Sequence, residues 1–364
     1  MKTVFIIDPI PGINSVQYNL IKSVIGRFNE PVLISNYINH DVCEDLKCER
    51  YSIYNGIINN IFKTEAMHWV KSYFMEALFS YNSKRVLKIL EGFDKYIIIN
   101  LSSTVPVKSD IMIVQGMPFY ETLLKLRKDN IILKMVPEIF YIIIKKFDKK
   151  VILRAIYSTK HLSANSKYLI DEYKKININI NCEINTIKNF DNFYYKNERR
   201  KGYVLTYIGK ETELDTLIEI AKAGVKIKAF GSKSPPGMKK NHIKRYIEFL
   251  GKVSNDELND LYNNAIFTVF PFTEEPFGWV PIESMKCGTP VLTYNKQGPS
   301  QTVLNNITGW LVDSKEEIIK KAIELYRNGF KINPEACVKR AMEFNPESMY
   351  GKIMNIIGED YLNA

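Results

Sequence analysis

The 364-residue sequence contains no uninterrupted apolar run near the roughly 18 to 20 residues that a membrane-crossing helix needs, so no spanning helix is expected. Its first apolar run, within residues 1–8, is too short for a secretory leader and reads as a strand. Cysteine is scarce, scattered and odd in number: five residues, at 43, 48, 182, 287 and 337. Cys43 and Cys48 are close enough to pair or to share a metal, but no second pair stands at zinc spacing. Ordinary reduced thiols are therefore expected. No Asp-x-Asp carboxylate pair is present, so no metal and no resident cofactor are expected. No nucleic-acid module is recognisable, which places nucleic acid last among partners. Together these absences lead to the expectation of a cytoplasmic protein.

What remains is globular in composition, 46% hydrophobic and 25% charged, in a chain long enough for two domains with separate cores. The formal net charge of +10 suits phosphate-bearing substrates or an anionic membrane surface. Along the chain, apolar runs alternate with segments of helical period, the pattern of doubly wound α/β folds. Strands are expected at residues 3–8, 31–35, 95–101, 111–114, 203–208, 225–231, 265–271, 291–294 and 308–312. Ligands of such folds sit at the carboxyl ends of the strands. Ser102, Ser103 and Thr104, at the end of one strand, are placed there. The pair His68-Trp69 falls in a helical region and is expected to pack in or on the core.

Residues 120–150 mix apolar clusters with lysines. Basic amphipathic segments of this kind suit a membrane interface. They equally suit two core-packed helices, broken at Pro137, with lysines on the solvated faces; both remain open. The polar, aromatic residues 189–200 read as a linker.

The densest chemistry lies in Glu275-Pro-Phe-Gly-Trp-Val-Pro-Ile-Glu283, which follows a buried strand and a short acidic loop. Pro281 suits the first position of a helix, Gly288 its stop, and the next strand begins at Pro290. The N–H groups of Gly278, Trp279 and Val280 would then stand at a helix N-terminus, a natural seat for phosphate. Gly278 admits close approach to the backbone. Two carboxylates beside a phosphate would repel it, which directs Glu275 and Glu283 towards hydroxyl groups. A molecule with phosphate in the middle and hydroxyls at both ends is a nucleoside diphosphate sugar. Alternatively, Glu283 complements the helix dipole and Glu275 is a solvated loop residue.

This segment resembles the E-x7-E signature of retaining GT-B glycosyltransferases of the family 4 type, departing from its usual form at Trp279, Ser284 and Lys286. The resemblance is strong over residues 195–345 and weaker before. It implies two Rossmann-like doubly wound domains facing a cleft: residues 1–197 on the acceptor side, joined by a C-terminal helix at 346–364 that crosses back, and residues 198–345 on the donor side. It implies a hexosyltransferase that moves a sugar, with retention and without metal, from a UDP- or GDP-sugar to a glycan, lipid-linked or protein-linked acceptor. Glu275 would hold the donor sugar, Glu283 the ribose, and Lys210 and the amides of Phe277 to Val280 the sugar and diphosphate. Gly209, Gly231, Gly251 and Val253 would line the nucleotide, and Gly12 and Gln115 the acceptor side. Gln115 stands where relatives often carry histidine, Gln301 where they carry glutamate, and only Lys233 offers itself as a second phosphate-binding cation. Lipid-linked acceptors in the family favour membrane contact through 120–150. The competing possibilities are a non-catalytic nucleotide-binding scaffold of the same fold, or another enzyme built on it, such as a nucleotide-sugar epimerase.

Overall fold

The computed structural model describes residues 1–12, 15–39, 44–54, 65–129, 134–197, 201–209, 211–231 and 245–362. The chain divides into two compact units. One comprises Met1–Asn165, Leu169–Asn189 and Pro346–Ala364, the other Ser166–Tyr168 and Phe190–Asn345.

In the first unit, seven parallel strands form one sheet: β1 (Lys2–Ile7), β2 (Pro31–Ser35), β3 (Glu49–Ser52), β4 (Tyr96–Asn100), β5 (Ser109–Val114), β6 (Thr159–Ala164) and β7 (Cys182–Glu183). Their spatial order is β3-β2-β1-β4-β5-β6-β7. Val4, Phe5, Ile6 and Ile7 are all fully buried, as an apolar strand must be when both faces of a parallel sheet are covered. The register sets Val4 beside Val32 on one side and Ile98 on the other. The helix Pro346–Leu362 belongs to this unit and buries Met349, Ile353 and Ile357 at helical spacing. Its Tyr350 ring meets Phe28 edge-on at 5.0 Å, and Glu347 accepts from Arg27 Nε at 2.9 Å.

In the second unit, β8 (Val204–Tyr207), β9 (Ile227–Phe230), β10 (Ile247–Gly251), β11 (Thr268–Phe270), β12 (Val291–Tyr294) and β13 (Gly309–Val312) form a parallel sheet in the order β10-β9-β8-β11-β12-β13. Renumbered from the start of the unit this is 3-2-1-4-5-6, the Rossmann order. Its core packs Leu217, Ile220, Phe267, Val269, Leu292 and Trp310 together. Ser254 caps the helix Asn255–Asn264 through a full capping box, accepting from the Glu257 amide at 3.2 Å while Glu257 accepts from the Ser254 amide at 2.8 Å.

The chain passes between units at Asn189/Phe190, earlier than its polar composition suggested. The reason is burial. Phe190 and Phe193 are buried, and Phe193 packs edge-on to Tyr262 of the second unit. The amides of Tyr194 and Lys196 donate to the side chains of Asn259 and Asn263 at 3.0 and 2.8 Å. Among the described residues no helix is long and apolar enough to cross a membrane.

Candidate functional site

The expected donor-side residues of the second unit come together at the carboxyl edge of its sheet. Gly209 follows β8, Gly231 follows β9, Gly251 closes β10 with Val253 just beyond, and the Glu275 loop follows β11. Lys210 and Lys233 lie outside the described residues. Glycine is required at Gly231, whose φ is +151° and where a Cβ would stand 2.2 Å from the Ile208 carbonyl oxygen. Its amide donates to the Gly251 carbonyl at 2.9 Å, drawing the two strand ends together. At Gly209 the amide donates to Thr212 Oγ1 at 3.0 Å, which closes the loop after β8.

The helix behind the Glu275 loop is Trp279–Lys286, not a helix starting at Pro281. Pro281 is its third residue, tolerated because the first amides of a helix have no intrahelical acceptor. Gly278 is the N-cap, with φ +89°. The helix stops as expected at Gly288, with φ +70°: the Gly288 amide donates to Met285 O at 2.9 Å and the Thr289 amide to Ser284 O at 3.0 Å, a Schellman closure.

The earlier start moves Glu283 into the second turn, and no acidic residue occupies the first. Glu283 is therefore badly placed to complement the helix dipole, which fades within one turn. Instead it is buried, 4% exposed, and its Oε2 accepts from the fully buried Tyr262 hydroxyl at 3.0 Å. Burial, then the Glu283 charge, raises the Tyr262 phenol well above its ordinary value, so it stays a donor. Tyr207, at the end of β8, is pushed up to about 12 by burial and by the charges of Glu211, Glu275 and Glu283. The charges of three carboxylates thus act on one phenol at this edge of the sheet.

Glu275 is half-buried and locked at the backbone. Its amide donates to Gln297 Oε1 at 3.1 Å and its carbonyl accepts from the Gly298 amide at 2.9 Å. A Cβ on Gly298 would lie 2.3 Å from both Phe277 Cα and Pro276 O, so the segment after β12 is fitted against the Glu275 loop. The Phe277 amide, expected to face a ligand, donates to Glu275 Oε1 at 3.4 Å, while its ring is buried against Phe344. Trp279 and Val280 are half-buried at the helix start. Tyr207, Tyr262 and Gln297 escaped the sequence reading, because a tyrosine on a strand or helix face and a loop glutamine carry no local mark of the distant residues they act on.

In the first unit, Gln115 follows β5 and donates from Nε2 to Leu101 O at 3.1 Å. It lines a cavity of about 220 Å³ with Asp8, Trp69, Ser103, Gly116 and Tyr173. Asp8 at the end of β1 is buried and accepts from Ser102 Oγ at 2.6 Å, Ser103 Oγ at 3.0 Å and Thr104 Oγ1 at 3.3 Å. Burial raises its carboxyl above the ordinary 3.8 in spite of these donors. Trp69 Nε1 donates to Ser103 Oγ at 2.8 Å, and buried His68 stacks on Tyr37. Gly12 sits apart from this cluster in the turn after β1, where its carbonyl accepts from Ser15, the cap of the helix Val16–Val24.

Two parallel Rossmann-like units define the fold shared with GT-B glycosyltransferases. The sucrose-phosphate synthase from Thermosynechococcus elongatus superposes over all of both chains with a TM-score of 0.68 at 14% identity. Anabaena Alr3699/HepE, solved in complex with UDP-glucose, superposes over 99% of this chain and 100% of that one with a TM-score of 0.61 at 13% identity. Residues 237–344, within the second unit, match the family described as Glycosyl transferases group 1. The alpha-1,3/1,6-mannosyltransferase of Yarrowia lipolytica is 29% identical over 121 residues, which is 32% of this chain and 26% of that protein. The chain thus spans about a quarter of the length of the curated relatives it matches.

Proposed function

We propose that the protein is a retaining, metal-independent hexosyltransferase of the family 4 type, moving a sugar from a UDP- or GDP-sugar to an acceptor hydroxyl on a glycan, lipid-linked or protein-linked molecule. The observation that carries this is the pair Glu275 and Glu283. One sits on a loop braced by Gln297 and Gly298, the other is buried and held by Tyr262, and the start of the helix Trp279–Lys286 lies between them.

In this mechanism Glu283 accepts the ribose hydroxyls and Glu275 those of the donor sugar. The amides at Gly278 to Val280, with Lys210, hold the diphosphate and stabilise its charge as the glycosidic bond breaks. The Phe277 amide joins them only if Glu275 turns away from it. The acceptor oxygen bonds to the anomeric carbon on the face the diphosphate leaves, and the acceptor proton passes to the departing phosphate oxygen. Retention follows without a protein nucleophile, as the family resemblance implies. The acceptor hydroxyl lies on the side of Gln115 and Gly12.

The test is a thermal-shift series with UDP, GDP, ADP and their sugars, then sugar release from whichever one stabilises the protein. Stabilisation by one nucleotide with slow release, abolished in Glu275→Ala with its melting point kept, is the expected result. Stabilisation by none would overturn the donor site. Binding with no release from any sugar, and no transfer to added glycans, would favour a scaffold.

A further inference from the structure

A cavity of about 300 Å³ opens at the amino edge of the second unit's sheet, where β8, β9 and β10 begin. Lys201, Tyr203, Lys226, Lys228, Tyr246 and Glu248 line it. Backbone bonds fix its floor. The Lys201 amide donates to Asn264 O at 2.7 Å, the Val204 amide to Lys226 O at 2.8 Å and the Ile266 amide to Tyr203 O at 2.8 Å. Tyr203 is buried and its hydroxyl donates to Leu261 O at 2.8 Å. The lining carboxylate, Glu248, is already engaged: it pairs with Lys228 at 3.1 Å, and that ammonium stands 5.1 Å from the centre of the Tyr203 ring. Asp260, whose charge also reaches Tyr203, is paired with Lys196. Two more cations stand against the half-buried Tyr246 ring, Lys222 Nζ at 5.5 Å and the Arg245 guanidinium at 5.7 Å from its centre. Lys201, Lys222, Lys226 and Arg245 are all exposed, and among the described residues none of them forms an ion pair.

We infer that this cavity binds a small phosphate monoester, at a site separate from the donor seat. Ammonium and guanidinium groups are natural phosphate partners, lysine as a point charge and arginine as a fork. The volume lies at the lower end of the range for small-molecule sites. Shape and surroundings decide against larger occupants. The unpaired cations gather around one concavity, whereas a nucleic-acid backbone is met by a stripe of them. None of the exposed large apolar side chains lines the cavity, so nothing there would enter a lipid surface. The site is also distant from the donor residues. Strand β8 has four residues, about 13 Å, and runs from this edge to Tyr207 and Gly209 at the other. A ligand here leaves the Glu275 loop open, and the inference does not rest on glycosyl transfer.

The experiment is lysine acetylation of the full chain, read residue by residue by mass spectrometry, with ribose 5-phosphate, with ribose, and with sodium chloride at matched ionic strength. Ribose 5-phosphate is expected to protect Lys201 and Lys226 while Lys331, exposed in the same unit, stays reactive. Ribose and chloride should protect neither. R245Q keeps both reporter lysines and should raise the concentration for half-protection about threefold. K201Q/K226Q should weaken ribose 5-phosphate binding in calorimetry by roughly tenfold, at about threefold per exposed cation, with the melting point unchanged because both side chains face water. The inference is overturned if ribose 5-phosphate protects neither lysine, if chloride protects them equally, if neither variant alters binding, or if only an RNA oligonucleotide or anionic vesicles protect them. The readout lies at the amino edge of the sheet, so failure of the donor assignment would leave it unchanged.

Discussion

Replacing Tyr262 with phenylalanine removes one oxygen and nothing else from the centre of the donor-side cluster. That hydroxyl donates to Glu283 Oε2 at 3.0 Å, and both groups are buried, so water cannot readily replace it. A hydrogen bond to a charged group contributes about 1.5–3 kcal/mol. In a domain the size of the second unit each kcal/mol moves the melting midpoint by about 2–4 °C, so Tyr262→Phe should lower that unit's midpoint by about 3–12 °C. If Glu283 binds the ribose, losing the Tyr262 hydroxyl beside its carboxylate also weakens the donor complex. A loss of about 1.4 kcal/mol there raises the donor KM about tenfold, with kcat changed less, the pattern of a lost binding contact. The assay is a melt of both proteins followed by donor-saturation kinetics with the nucleotide sugar that the thermal-shift series selects. A lower melting point with an unchanged KM would show that Tyr262 and Glu283 only brace the helix, and would refute the ribose assignment. An unchanged melting point would refute the buried charge-assisted bond itself.

Two further outcomes are expected. Gly298→Ala places a methyl within 2.3 Å of Phe277 Cα and Pro276 O, so the Glu275 loop must shift; stability should fall by about 1–3 kcal/mol and turnover by roughly a hundredfold, and unchanged turnover would separate the loop from the chemistry. Asp8 holds its proton more tightly in the folded protein than its ordinary 3.8, so its contribution to stability is complete below 3.8 and is lost as pH rises through the raised value. Denaturant melts across that window should show wild type losing stability relative to Asp8→Asn, and a relative gain would reverse the assigned sign.

The parts of the fold that were legible are those where one sequence property dominates. Strands β1, β4, β8, β11 and β12 are buried on both faces and appear as apolar runs. The helix Lys315–Asn328 carries a local signal of the same kind, since its polar and apolar faces alternate and Ser314 caps it. Strand β3, with the sequence Glu-Arg-Tyr-Ser, sits at a sheet edge with no fully buried residue, so nothing local distinguished it. Residues 190–197 misled for the converse reason: their polar composition hid two phenylalanines that are buried. At the site, Glu275, Gly278 and Glu283 could be found because they lie within nine consecutive residues. Tyr262 could not, since its tie to Glu283 spans 21 positions and exists only once the sheet is assembled. The start of the helix Trp279–Lys286 was misplaced by two residues because proline is tolerated throughout a first turn, not only at its first position.

The helix Pro346–Leu362 also carries a consequence for how the protein is made. It follows the second unit in the chain, yet Met349, Ile353 and Ile357 complete the hydrophobic core of the unit that precedes it. A ribosome therefore releases every residue of the Rossmann-ordered second unit while the first still lacks a wall. The usual vectorial order, in which the leading domain is finished before the next begins, is inverted here. Until that helix emerges, the surface around Phe28 that Tyr350 will cover stands open to water and to any chaperone that binds exposed apolar side chains.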